Sequence, residues 1–151
     1  MNENDWMSTA RRTDALVIAV IGLIALAARL AVVGGVPVSA PVSDMQEYWE
    51  RAVYIAHHGQ LYPNSWRMPG YPTALAVIFA AASGPSLAVT RVFNVVAGVA
   101  APLLTYWRAR RRLDVWSAMF AGLAVAVYPS FLIYSTFVAT ERSSPYLFSV
   151  R

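Results

Sequence analysis

The sequence predicts an all-α membrane protein, with three transmembrane helices and an external loop that carries an amphipathic helix and a short re-entrant helix. Three observations predict it. Hydrophobic residues fill 58% of the 151 positions and charged residues 13%, with a mean hydropathy of +0.47, well outside ordinary soluble composition. Three apolar runs reach the length needed to cross a hydrocarbon core of about 30 Å. Between the first two lies Ser43 to Pro72, a stretch rich in polar, aromatic, proline and glycine residues. The net charge of +4 does not point to nucleic acid, because four of the twelve arginines form one cluster between apolar runs and read as a membrane-orientation signal. The chain has no cysteine, so disulfide and thiolate chemistry are excluded, and compartment is not decided by that absence.

Taken in order, residues 1–13 are polar and read as a disordered cytoplasmic tail. Ala15 to Ala28 is uninterrupted and apolar. With Arg29 snorkelling its head outward and Leu30 to Val33 continuing the run, the first span covers about 15–35, roughly 30 Å of helix. Val-Gly-Gly-Val-Pro is a poor cleavage site, so the run is read as a span and not as a secretory signal. Arg11 and Arg12 ahead of it place the N-terminus in the cytoplasm.

The external loop then covers 36–86. Asp44 suits a helix N-cap, and Tyr48, Ala52 and Ile55 follow at helical spacing, which predicts a short amphipathic helix ending at Gly59. Pro63, Pro69 and Pro72 prevent a long regular element before the next apolar run. That run, Tyr71 to Ser83, has about 13 residues and covers roughly 20 Å, too short to cross, so it reads as re-entrant or interfacial. Ser83-Gly84-Pro85-Ser86 breaks it. The second span covers about 87–107, with Arg91 near its start and Asn94 three residues on. Arg108 to Arg112, with only Ala109 uncharged, follows and is expected inside. The third span covers about 115–137 with a kink at Pro129, and returns the chain outside at Thr140-Glu141-Arg142. Residues 142–151 form neither a full span nor a polar tail.

Among candidate functional residues, Asp44 fits a general base, a metal ligand or simply a cap. His57-His58 reads as a surface pair, because neighbours on a helix point about 100° apart and no carboxylate follows at metal-ligand spacing. Arg67 fits a bidentate clamp on a lipid phosphate or a headgroup anchor. Arg91 fits snorkelling, an ion pair or a phosphate contact. Glu141 is an acid at the outer edge of the third span.

The order of these residues carries more than any one of them. A span is followed by Asp44, Glu47, Tyr48, Ala52 and Gly59, then Arg-x-Pro-Gly-Tyr-Pro from Arg67 to Pro72. Arg91 and Asn94, the arginine cluster, and Tyr128-Pro-Ser through Thr140-Glu141 complete the set. This ordered set, from about Asp14 to Glu141, resembles the GT-C class of membrane glycosyltransferases, most nearly the dolichyl-phosphate-mannose protein mannosyltransferase and aminoarabinose transferase branch. The resemblance implies transfer of a sugar from a polyprenyl-phosphate donor to an acceptor on the outer face of the plasma membrane. It implies Asp44 as the catalytic acid, with Arg67, Glu141, Glu47, Tyr48 and Arg91 around the substrates. No cofactor is firmly implied, and dependence on a divalent cation stays open. Expected partners are membrane lipid and the polyprenyl-phosphate sugar.

Family members carry many more spans, so 14–141 is read as a truncated GT-C-like module and 142–151 as an aberrant or truncated tail. The chain alone is expected to be inactive without the missing C-terminal spans or a partner subunit. The alternative reading is a small non-enzymatic membrane protein: a scaffold, a subunit or a lipid-binding module.

Overall fold

Long apolar runs favour helix, because every backbone group is then satisfied within its own segment. The computed structural model describes residues 3–35, 44–63 and 68–136, with side chains over 12–35, 45–63 and 68–133. The regular elements among them are all helices: α1 (Glu3–Gly35), α2 (Asp44–His58), α3 (Gly70–Ala81), α4 (Leu87–Arg110), α5 (Val115–Val127) and α6 (Pro129–Thr136). Two are long and apolar enough to cross a membrane, over Arg12–Gly35 and Leu87–Arg110. The chain divides into two compact units, one of residues 1–34 and 94–135, the other of residues 35–93 and 136–151.

Three expectations need correction. The polar start is not disordered from Glu3 on, since α1 begins there. The third apolar run is not one helix with a kink. Tyr128 is extended at φ −64°, ψ 121°, and separates the 13 residues of α5 from the eight of α6. Proline at 129 disfavours the helical region for the residue before it and has no N–H to continue the ladder, so the helix stops there. Arg29 does not snorkel: it is fully buried.

In the first unit, α1 and α4 run antiparallel. Asp14 near the start of the α1 apolar run bonds Arg110 at the end of α4, and Gly22 lies across from Leu103. Helix α5 runs in the same direction as α1, with Gly122 against Ile21 and Ala126 against Arg29. Val17, Ile21, Tyr106 and Ala118 form the core. Gly122 allows the three helices to meet, because a Cβ there would come within 2.9 Å of Ile21 Cδ1, 3.2 Å of the Pro102 carbonyl oxygen and 3.3 Å of Tyr106 Cβ. Pro102 lies inside α4, and its ring is buried.

In the second unit, α2 packs on α3 through Ala52, Leu75 and Phe79, with Trp49, Val53, Tyr71, Val89 and Phe93 closing around them. Gly59 ends α2 at φ 66°, with its N–H bonded to the Ile55 carbonyl at 2.9 Å. This is the left-handed stop that glycine adopts without a Cβ penalty. Pro72 falls in the first turn of α3, where its missing N–H costs nothing. Ser83 at φ 64° turns the chain out of α3, and the Gly84 N–H closes the end on the Phe79 carbonyl at 2.9 Å.

Candidate functional site

The described part of the polar, aromatic segment forms α2 and the start of α3, so the candidate site is built there. Asp44 opens the first turn of α2. Its side chain, together with all of Arg67 and Glu141, lies outside the described residues. One turn along, Glu47 accepts a hydrogen bond from Nη2 of Arg51, an i to i+4 ion pair on a helix that places the two on one face. Arg51 is buried at 4% exposure, and its guanidinium stands 5.7 Å from the Tyr62 ring centroid. An arginine so held contributes packing as well as charge.

Tyr48 meets Tyr71 edge to face with centroids 5.8 Å apart, and Tyr71 meets Phe93 at 6.0 Å. Trp49 meets Phe79 edge-on at 5.0 Å. These rings bind α2, α3 and the first turns of α4 into one body, and they place Tyr48 beside the Gly70-Tyr71 start of α3. Arg91 is half-buried in the second turn of α4, in the same unit. Of the residues expected around the substrates, Glu47, Tyr48 and Arg91 therefore belong to one compact body with the backbone of Asp44. His57 and His58 are exposed, as the spacing predicts. The His58 ring stacks on Tyr54 at 4.1 Å and its Nδ1 meets the Tyr54 carbonyl at 2.9 Å. Among the described residues no three His, Cys, Asp or Glu side chains gather as they would to hold a metal ion.

Two polar sites in the first unit were not anticipated. Asp14 Oδ1 accepts from the Tyr106 hydroxyl at 2.7 Å and from Arg110 Nε at 2.9 Å, and Arg110 Nη1 also reaches the Leu113 carbonyl at 3.4 Å. An acid placed at the very edge of an apolar run is the signal in the sequence. Its partners stand more than ninety residues away, so spacing along a helix could not name them. The second is Arg29. Its Nη1 donates to the carbonyls of Ala25 at 2.9 Å and Ala126 at 3.3 Å, while Nε and Nη2, both buried, meet no acceptor among the described residues. Intramembrane arginines face a bundle interior or a cavity and are costly. That principle pointed to Arg29, but the long flexible side chain also allowed the snorkelling reading.

At the end of α4, an open depression of about 810 Å³ is lined by Leu104, Thr105, Trp107, Arg108, Arg112 and Leu113. It belongs to the first unit and is not part of the aromatic body around α2. Past it, Asp114 caps α5, its Oδ2 accepting from the N–H groups of Trp116 at 3.0 Å and Ser117 at 3.1 Å. Bonds from the Ser117 side chain and then from these backbone N–H groups hold its carboxyl below the ordinary 3.8.

Comparison with protein-family models, with curated proteins and with solved structures finds no match to this chain.

Proposed function

We propose that this chain is the donor-side module of a multi-pass plasma-membrane glycosyltransferase, taking a sugar from a polyprenyl phosphate on the outer face. In this reading Asp44 is the general base. The observation that carries the proposal is the place of Asp44 at the start of α2, in one compact unit with Glu47, Tyr48 and Arg91. Along the same helix Glu47 pairs with Arg51 and Glu50 accepts from Gln46. Asp44 opens a helix directly after the first long apolar helix, where the acid of a GT-C enzyme is expected.

The chemistry is a displacement. Asp44 removes the proton of an acceptor hydroxyl or amine as that group bonds to the anomeric carbon, and the bond from that carbon to the lipid phosphate oxygen breaks. Arg67 neutralises the phosphate as it leaves, and Tyr48, Glu47, Arg91 and Glu141 line the donor side. The orientation is supported by the Asp14–Arg110 bond, which puts the Arg12 end of α1 and the Arg108–Arg112 cluster at one end of their unit. Both then lie in the cytoplasm, with Asp44 outside, and α5 with α6 completes a third, broken crossing.

A photoreactive polyprenyl phosphate tests the reading. The purified chain in nanodiscs should be labelled between residues 44 and 91, with competition by polyprenyl phosphate and not by the uncharged polyprenol. Equal competition by the phosphate and the free alcohol, or none by either, sinks it. In membranes that carry out the transfer, Asp44→Asn should lower the rate by about 10²–10⁴-fold, the usual cost of losing a general base, with little change in helix content. His57→Ala should leave the rate near its starting value.

The rival is a non-enzymatic membrane scaffold or subunit. It draws on the exposed apolar faces of α1 and α4, including Leu16 at 69%, Leu23 at 67% and Leu104 at 61% exposure. Such faces are met equally by lipid or by another helix. Phosphate-independent labelling together with transfer indifferent to Asp44 would favour this rival.

A further inference from the structure

The arginines of the cluster at the end of α4 do not share one environment. Arg110 is engaged by Asp14, and the Arg111 guanidinium lies over the Trp107 ring, 3.8 Å from its centroid. Arg108 and Arg112 are different. Both are exposed, both line the depression, and neither side chain makes a hydrogen bond or ion pair among the described residues. Arg108 lies in the last turn of α4 and Arg112 in the turn that follows it, and both border the same depression. Most of the remaining lining is apolar or aromatic: Leu104, Trp107 and Leu113 are 61%, 51% and 49% exposed, and the Thr105 hydroxyl is turned back onto the Ala101 carbonyl. Two cations above an apolar floor, at the end of a helix long enough to cross a membrane, match a molecule with a phosphate at one end and hydrocarbon at the other.

We propose that this depression binds the headgroup of an anionic phospholipid. Arg108 and Arg112 hold the phosphate from two sides through their N–H donors. Trp107, with the exposed Trp116 of α5 near the same end, lies at headgroup depth, where indole rings are enriched. Leu104 and Leu113 meet the upper acyl chain. Arg111 is kept on the face of Trp107 and fixes that ring as the wall of the site. The proposal does not rest on the glycosyltransferase reading, because it needs only α4 in a bilayer, and Asp44 belongs to the other unit.

The test is native mass spectrometry of the full chain released from vesicles of equal phosphatidylglycerol and phosphatidylcholine. Basic residues near an anionic surface each contribute about fivefold, so two should give roughly a 25-fold preference for retained phosphatidylglycerol. Arg108→Gln and Arg112→Gln should each cut the preference about fivefold, and the double variant should abolish it. Both side chains are exposed, so folding should persist; circular dichroism of each variant checks this. Arg12→Gln removes a charge near the same end of the unit without touching the depression, and should leave the preference within about twofold. Soluble glycerol phosphate should fail to compete, because it offers no acyl chain to Leu104 and Leu113. The proposal is overturned if the wild-type chain retains both lipids equally, if Arg12→Gln reduces the preference as much as Arg108→Gln, or if glycerol phosphate displaces the lipid.

Discussion

Where α1, α4 and α5 meet, small groups and backbone come into direct contact beside the larger Val17, Ile21 and Tyr106: Gly122 against Ile21 and the Pro102 carbonyl, with Ala118 beside Tyr106. Where α2 meets α3, it is made by rings: Trp49 on Phe79, Tyr48 on Tyr71, Tyr71 on Phe93. The difference is the one expected of apolar helices placed in lipid and an amphipathic helix placed at its surface. Between apolar helices in lipid there is little hydrophobic gain from association, so close approach of backbones through Gly and Ala supplies the attraction. A short amphipathic helix such as α2 has water or headgroups on one side, and burial of large aromatic area drives its packing. The two regions also treat charge differently. Arg51 of α2 has Glu47 and a tyrosine face, whereas Arg29 of α1 has only carbonyls for the one nitrogen that is bonded.

The contrast can be broken first at Phe79. Phe79→Ala removes a nearly fully buried ring and should destabilise the second unit by about 3–5 kcal/mol, with little effect on the first. Hydrogen exchange should show protection lost in α2 and α3 and kept in α1 and α5. Equal loss in both units would mean that they do not fold as separate bodies.

Arg29→Met comes next, with the opposite sign. A buried cation without an acid among the described residues is replaced by an apolar side chain of similar length, and the gain should be roughly 1–4 kcal/mol, as when buried ionic groups give way to apolar ones. A large loss in thermal stability would instead reveal an anionic partner for Arg29.

Gly122→Val sharpens the small-residue argument. The added atoms meet Ile21 and the backbone of α4, and overpacking of this kind costs about 1–3 kcal/mol. Unfolding in mixed micelles should report the cost, while a change near zero would show that the helices can separate freely there.

The smallest effect is at Asp114. Its folded carboxyl titrates below the ordinary 3.8, so its contribution to stability is present above that value and is lost as pH falls through the folded one. The advantage of wild type over Asp114→Ala should therefore be constant near neutral pH and shrink under acid. An advantage that grew as pH fell would contradict the cap.

The sequence by itself determined the helical class, the two long apolar helices, the extent of α2 and α3, and the exposed histidine pair. Those features rest on run length, on 3.6-residue periodicity and on stop residues such as Gly59, all local properties of a few consecutive residues. Pro129 was legible as an interruption, but whether the helix would bend or stop depended on the conformation of Tyr128, which no residue pattern states. The backbone position of Asp44 was legible in the same local way, and the Glu47–Arg51 pair lay within reach of helical spacing. Only the tertiary structure decided that Arg29 is buried and not snorkelling, that Asp14 joins Tyr106 to Arg110, that Gly122 is a contact point, and that two arginines of the α4 cluster are engaged while two are open. Each of these depends on which faces of distant helices meet, and a long arginine or an edge aspartate satisfies a local pattern equally well in several tertiary surroundings.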